Sequence, residues 1–460
     1  MDTLYLEQIN FLLTTPKGVK CLLFDNENTK QMINNLIEFK KLLDADYFYF
    51  DYLTNKKRSK VNINAVVILN NENLKLLINE LVDPLYSTYT IMFKNRIDPF
   101  ALEILASADR NGVISHVFEI NMVGLKIDDY LYTSQFTDLI TVFQSLDIKP
   151  DIYITKNHIN KNIEQLIQSV TTGSKHGNLL FLERNFDLIT PLLSNWHYQS
   201  AIHQYLNYNN ETVKIDDNLY KIDDEFFQAN KFYDIETVGD NIKKLVKDLE
   251  KKRFNISNHQ FENIEHVTTQ SKIIDTHMNI FKKVIDSSMR NKEIGELEIQ
   301  ILKGIPIDLS LIKPNQKDML KIQLLLSLYK NSKDPNLNHK VYDVFVNTFK
   351  PTSVGYKYSF NNNTDLLSYE PPIKRIFKHF VKKTLNSNYF VKINNFTEKT
   401  SNSDQNIFII YIEGGITFRE YRDIILYAKE LGVVVYLFSN KIINCNDILN
   451  CVTTQLNNKF

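Results

Sequence analysis

Over the first 125 residues, apolar positions fall in short runs separated by amphipathic stretches. Val19–Phe24, Tyr47–Phe50, Ala65–Leu69, Tyr89–Phe93 and Val113–Ile120 have the length and composition of buried strands. Helical patterns fill the gaps over Thr29–Leu43, Asn73–Leu81 and Pro99–Ala108. Alternation of this kind predicts a parallel α/β sheet. Two more strands follow, at Asp151–Thr155 and Leu179–Leu182, and then the strand pattern stops. Two strands do not make a stable doubly wound sheet. The missing partners occur at Ile407–Ile412 and Val433–Phe438, each followed by a helical pattern, Phe418–Glu430 and Asn446–Val452. Strand counting therefore predicts a second, discontinuous α/β domain with residues from about 207 to 404 inserted into it.

The insertion has helical periodicity. Ser271–Met289 carries Ile274, Met278, Phe281 and Ile285 at helical spacing, one apolar stripe for a core. Lys317–Tyr329 and Pro372–Leu385 also read as helices. No internal repeat of fixed period is visible, which counts against a solenoid.

The length, 460 residues, suits two or three domains. Hydrophobic content of 43% and charged content of 23% are those of a globular protein. The 54 basic and 54 acidic residues cancel, which argues against nucleic acid as a partner. Cys21, Cys445 and Cys451 have no metal-ligand spacing and read as reduced thiols of a cytosolic protein. The N-terminus lacks a basic segment followed by a sustained apolar one, and no run approaches the roughly 18 apolar residues of a membrane span. Neither a signal peptide nor a membrane helix is expected.

The most informative stretch is Leu179–Leu206, LLFLERNFDLITPLLSNWHYQSAIHQYL. A buried-strand pattern breaks into Glu183, Arg184 and Asp187, followed by Thr190-Pro191 and a run holding the only tryptophan, Trp196. Pro191 fits the first turn of a helix, and Arg184 and Asp187 are placed to pair with each other. Charges at a strand end can be catalytic in an α/β protein. Here no Ser, Cys or Gly-rich turn supplies a nucleophile or a phosphate cradle, so the charges read more simply as fixing the chain's exit from a sheet. Gly414-Gly415, in YIEGGITFRE, lacks both the lysine of a P-loop and the third glycine of a dinucleotide fingerprint, and reads as a tight turn. His197, His203, His277 and His379 have no partners at ligand spacing and read as structural. No metal or cofactor is expected.

Glu183-Arg184, Asp187, Pro191-Leu192-Leu193, Trp196 and Tyr198-Gln199 together resemble the signature of the Sec-one/Munc-eighteen (SM) family of SNARE regulators. Glu183 stands where that family has Asp, and His197 where it has Thr or Ser. FYDIETVGDNIKKL at Phe232–Leu245, LLLSLY at Leu324–Tyr329 and YIEGGITFRE at Tyr411–Glu420 extend the resemblance over nearly the whole chain. The first of these, with Ala106–Asp109 and the Pro371-containing helix, is most like the endosomal and trans-Golgi (vacuolar-protein-sorting) branch. The resemblance implies an arch of two parallel-sheet α/β domains, residues 1–128 and 129–230 plus 404–460, with a mainly helical third domain, 231–403. It implies a monomeric, non-enzymatic protein that binds a syntaxin-type (Qa) SNARE and the assembled SNARE complex, promoting vesicle docking and fusion. Such a protein is cytoplasmic, is recruited peripherally to Golgi and endosomal membranes, and meets the membrane only through SNAREs.

In that family the helix–strand edge of the first domain holds a pocket for the N-terminal peptide of a syntaxin. Carried over onto Phe100–Asn121, the pocket is Leu102, Ile114, Val117 and Glu119. Without the resemblance, Leu102 and Val117 simply join their helix and strand to the core. The resemblance also makes Glu183, Arg184, Asp187, Pro191, Tyr198 and Gln199 structural. Between Lys252 and Thr268 the chain is shorter than the family's helical hairpin, which implies a reduced hairpin tip and weak binding of a lone vesicle SNARE. Two other readings stay open. One is a nucleotide-dependent α/β enzyme using the Glu183/Arg184/Asp187 corner or the Gly414-Gly415 turn; the other is a scaffold subunit of a tethering complex.

Overall fold

The short apolar runs of the N-terminal region pair in register as strands β1 (Lys20–Phe24), β2 (Tyr47–Tyr52), β3 (Val61–Leu69), β4 (Tyr86–Phe93) and β5 (Ile114–Glu119). They form a parallel sheet in the order β2-β1-β3-β4-β5. Side chains alternate between two cores: Leu22, Phe24, Val66, Ile68 and Met92 fill one, and Cys21, Leu23, Ala65, Val67, Ile91 and Phe93 fill the other. Burial on both faces explains why β1, β3 and β4 read as apolar runs, whereas the edge strands β2 and β5 are partly exposed. The helix expected over Thr29–Leu43 is two helices, Glu27–Leu36 and Phe39–Asp44, because Ile37 turns extended and drops into the core.

These features come from a computed structural model that describes residues 6–55, 57–95, 97–120, 122, 124–156, 173, 175–209, 211–256, 264–290, 292–307, 315–330, 337–360, 365–393 and 407–457. Contacts divide the chain into two units. The first comprises Met1–Phe181, Val391–Glu413 and Val433–Asn440; the second comprises Leu182–Phe390, Gly414–Gly432 and Lys441–Phe460. None of the helices among the described residues is long and apolar enough to cross a membrane.

A seven-stranded sheet accompanies the first. Its early strands are β6 (Leu125–Asp128), β7 (Leu131–Thr133), β8 (Ile148–Thr155) and β9 (Lys175–Glu183). Short strands β10 (Asn207–Asn209), β11 (Thr212–Ile215), β12 (Asn218–Lys221), β13 (Ser359–Phe360) and β14 (Tyr369–Glu370) belong to the second unit. The large sheet then takes up β15 (Phe390–Lys392), β16 (Ile407–Glu413) and β17 (Val434–Ser439), in the order β15-β8-β9-β16-β17-β7-β6. The C-terminal strands β16 and β17 therefore lie at its centre, beside β9. Three of its strands, β6, β7 and β15, are too short to leave a periodic signal in the sequence.

The second unit is mainly helical. The helices Ile235–Ile256 and Ile264–Arg290 pack side by side; residues 257–263, where the reduced hairpin tip is expected, lie outside the described residues, as do 361–364 and 394–406. The two helices approach closely at Gly239, where a Cβ would sit 2.7 Å from the Phe281 ring. On Ile264–Arg290 the buried positions are Ile274, His277, Ile280, Val284 and Ser288, whereas Met278 is 48% exposed. The stripe expected through Met278 is thus rotated. The reason is His277, whose Nδ1 lies 2.9 Å from the Tyr198 hydroxyl and whose Nε2 lies 2.9 Å from Asp224 Oδ2. With both ring nitrogens partnered, a histidine can occupy a core position that apolar counting assigns elsewhere. Burial works to raise the Asp224 carboxyl, but the hydrogen bond and charge of His277 outweigh it and hold it below the usual range.

Ile280→Ala should therefore cost about 2–5 kcal/mol in urea denaturation. Met278→Ala should change stability by no more than about 0.5 kcal/mol. Equal losses at the two positions would restore the stripe through Met278.

Candidate functional site

Strand β9 carries Leu179–Leu182 through the core and leaves the sheet at half-buried Glu183, where Arg184–Phe186 forms a single tight turn. Arg184 is buried, and its guanidinium grips Glu420 with both arms, Nη1 to Oε2 at 2.8 Å and Nη2 to Oε1 at 2.9 Å. It also donates to the carbonyls of Gly415 at 3.3 Å and Asp187 at 2.5 Å. The carboxylate of Asp187 stands farther off, at 3.8 Å. Asp187 is occupied instead with its own turn. Its Oδ1 accepts from the backbone N–H groups of Ile189 and Thr190 at 3.0 and 3.1 Å, and its Oδ2 from the Thr190 hydroxyl at 2.5 Å. The expected Arg184–Asp187 pair is thus secondary, because a bidentate grip needs a carboxylate facing the guanidinium plane and Asp187 is turned to its local donors. Burial opposes the charge of Arg184, but Glu420 and Asp187 hold the guanidinium above its usual range.

Glu420 does a second job. With Thr417 it forms a capping box at the start of the helix Phe418–Leu431, accepting from the Thr417 N–H at 3.0 Å while the Thr417 hydroxyl accepts from the Glu420 N–H at 3.2 Å. The preceding turn needs glycine. Gly415 has φ +118°, and a Cβ there would lie 2.4 Å from Ile443. The helix N-terminus that could have bound phosphate is filled by the chain's own carboxylate.

Pro191 is buried in the short helix Ile189–Leu192. Tyr198 is fully buried with its hydroxyl on His277, and Gln199 is buried with its N–H donating to the Lys231 carbonyl at 3.0 Å. Of the six signature residues only Glu183 reaches the surface in part. Nearby, burial pushes the His203 ring down to about 4, with Asp447 opposing, and holds His197 well below its usual value, aided by Arg422 and Arg419.

The helix–strand segment in the first unit is different in kind. The helix Pro99–Ala108 is capped by Asp98, whose Oδ1 accepts from the Phe100 N–H at 3.0 Å, and Pro99 opens it. Ala101 and Leu105 are buried, whereas Leu102 is 43% and Phe100 64% exposed. Beside it, β5 is an edge strand. Ile114 pairs with Tyr89, but Val117 pairs with Ile91 and Glu119 with Phe93, so one extra residue is inserted at Ser115. Residues three apart on a regular strand point to opposite faces. The bulge brings Ile114, Val117 and Glu119 to the same face as Tyr89, Ile91 and Phe93, on which the helix packs through Ala101 and Leu105. Ile114 and Val117 are half-buried there. Glu119 is exposed, and its Oε1 accepts from the Ile97 N–H at 2.7 Å, tying down the loop before the helix. Leu102 lies on the exposed flank of that helix. Phe100 was not among the expected pocket residues, although Asp98-Pro99 before it marks a helix start that places it in the first turn.

The Sec1 family model matches residues 20–451, and the chain belongs to the Sec1 family. It is similar to vacuolar protein sorting-associated protein 45 of Dictyostelium discoideum, 26% identical over 320 residues covering 60% of this chain and 55% of that one. The chain spans about half the length of the first curated relatives it matches. Among solved structures it resembles the SM protein Vps45 in complex with the Qa SNARE Tlg2, with TM-score 0.81, 20% identity and coverage of 99% and 98%. It also resembles Sly1p in complex with an N-terminal peptide of Sed5p, with TM-score 0.75, 16% identity and coverage of 98% and 98%. At these identities the likeness is one of fold.

Two outcomes test the corner. Glu420→Ala leaves Arg184 buried without its bidentate partner and should cost about 3–5 kcal/mol. Asp187→Ala chiefly removes a local cap and should cost about 0.5–2 kcal/mol. Urea denaturation that reversed this order would make Asp187 the principal partner. For His203 the unfolded ring takes a proton near pH 6.5 while the folded ring resists until about 4. Its contribution to stability is therefore lost as pH falls from about 6.5 to about 4, by at most about 3.4 kcal/mol, and His203→Phe should flatten that part of the stability profile.

Proposed function

We propose that this chain is a non-enzymatic SM protein that binds a syntaxin-type (Qa) SNARE and the assembled SNARE complex to promote docking and fusion of vesicles in Golgi and endosomal traffic. The observation that carries this reading is the β5 edge. The Ser115 bulge sets Ile114, Val117 and Glu119 on one face, under a helix that exposes Phe100 and Leu102. Apolar side chains next to an open strand edge suit an incoming peptide with an aliphatic or aromatic anchor. Glu119 Oε2 has no hydrogen bond among the described residues and can receive a basic group of that peptide. Sly1p, of similar fold, is known with an N-terminal peptide bound, and Vps45 with a Qa SNARE, which supports the same partner class here.

The signature residues Glu183, Arg184, Asp187, Pro191, Tyr198 and Gln199 act structurally in this reading. Supporting it, Arg184, Asp187 and Glu420 spend their charges on one another and on backbone groups. Three domains, residues 1–128, 129–230 plus 404–460, and 231–403, complete the proposal, which the five-stranded sheet and the return of β16 and β17 to β9 support. The protein acts as a monomer in the cytoplasm and is drawn to membranes by its SNAREs.

Leu102→Arg puts a charge where an apolar anchor would bind, and should abolish binding of an isolated syntaxin N-terminal peptide in calorimetry. Melting should stay unchanged, because Leu102 is 43% exposed. Unaltered peptide affinity would remove Leu102 from the site. ATP, GTP and NAD should each leave the melting temperature unmoved; a shift with any of them would favour the nucleotide-dependent enzyme.

A further inference from the structure

A cavity of ≈ 420 Å³ lies within the first unit, where strands of both sheets reach their carboxyl ends. Asn26 stands just beyond β1, Asn70 beyond β3, Lys94 and Asn95 beyond β4, and Asn440 beyond β17. In α/β folds this is the end at which ligands bind, held by the loops that follow the strands. The function proposed above leaves this cavity without a role.

Its wall has a definite chemistry. Most of the polar lining is side-chain amide, a group that both donates and accepts. Lys94 is 5% exposed, and its Nζ donates to the Thr29 hydroxyl at 2.6 Å, its one hydrogen bond among the described residues. Thr29 in turn donates to Asp25 Oδ1 at 2.5 Å, so ammonium and carboxylate neutralise each other through a hydroxyl. Asp25 is then filled by the Asn70 N–H at 3.0 Å and the Asn73 amide at 2.8 Å. Asp138 accepts from the Gln135 N–H at 3.0 Å, the Ser134 hydroxyl at 3.1 Å and the Asn95 amide at 3.2 Å. Unused among the described residues are two donors on Lys94 and two buried amide oxygens, Asn70 Oδ1 and Asn95 Oδ1. Buried polar atoms in a roomy polar cavity call for water or a ligand.

Charge narrows the class. Among the described lining residues Lys94 is the one cation, already balanced by Asp25, and Glu72 and Asp138 face the same space. A phosphate would meet two carboxylates for one neutralised ammonium, and a cation would meet Lys94. Hydroxyl groups fit all three needs: they accept from Lys94 and donate to both amide oxygens, without net charge. We propose that this cavity binds a neutral, hydroxyl-rich small molecule, a sugar or cyclitol free of phosphate.

The experiment is saturation-transfer NMR on the full chain with myo-inositol and glucose as probes, against myo-inositol hexakisphosphate and ATP. Transfer to at least one neutral polyol is expected, with affinity falling about tenfold in Lys94→Met, as befits a lost hydrogen bond to a charged donor. Asn70→Ala, which keeps the backbone bond to Asp25, should weaken binding in the same direction and covers the case in which Lys94→Met does not fold. Leu102→Arg should leave polyol binding intact, which separates this site from the peptide edge. No transfer to either polyol, transfer undiminished in Asn70→Ala, or tighter binding of the hexakisphosphate than of inositol would overturn the assignment.

Discussion

The second unit depends on a charge pair whose members lie 236 positions apart, Arg184 and Glu420. Both side chains are almost fully buried, where an isolated charge is prohibitive. Each is tolerable only because the other faces it with two parallel hydrogen bonds. The constraint runs outward from there. Arg184 must leave β9 at a tight turn, so Asp187 caps the short helix Ile189–Leu192, in which Pro191 is buried. Glu420 must sit one turn inside its own helix, so Thr417 caps it and two glycines bring the chain round before it.

That arrangement decides where function can reside. The charges of this corner are spent mainly on one another and on backbone groups. A second buried network repeats the logic: Glu298 accepts from the Ser194 N–H and hydroxyl at 2.8 Å each and pairs with Lys321, pinning two helices to the segment after the corner. Two features of the first unit differ from that corner. The helix beside its β5 edge exposes Phe100 and Leu102, and among the described residues the amide oxygens of Asn70 and Asn95 are unmatched. The first suits a peptide and the second a small polar molecule, so the two would work by different physics.

Local backbone devices set both places. A single inserted residue at Ser115 puts Ile114 and Val117 on the same face; a regular strand would have separated them. His277 shows the same dependence on neighbours, because it is a core residue only through Tyr198 and Asp224. In each case the side chain's role comes from a partner distant in sequence.

The order of apolar and polar residues determined a good deal unaided. The five runs from Val19 to Ile120 are the five strands of the first sheet, and Pro99–Ala108 is a helix with those bounds, since short apolar runs and a capped, proline-opened start leave strong local marks. The family resemblance was legible for a similar reason: the charged corner and the glycine turn demand particular residues in particular places. Strands β6, β7 and β15 were not legible, being three or four residues long and stabilised by pairing with neighbours already in place. Nor was the stripe on Ile264–Arg290, the bulge at Ser115, or the choice of Glu420 over Asp187. Local preference acts over a few residues, whereas hydrogen bonds and buried charges are satisfied across any separation the fold closes. Helices and strands could therefore be read along the chain, but which face is buried and which carboxylate answers Arg184 were decided only when Leu179–Leu206 met Tyr411–Glu420 in space.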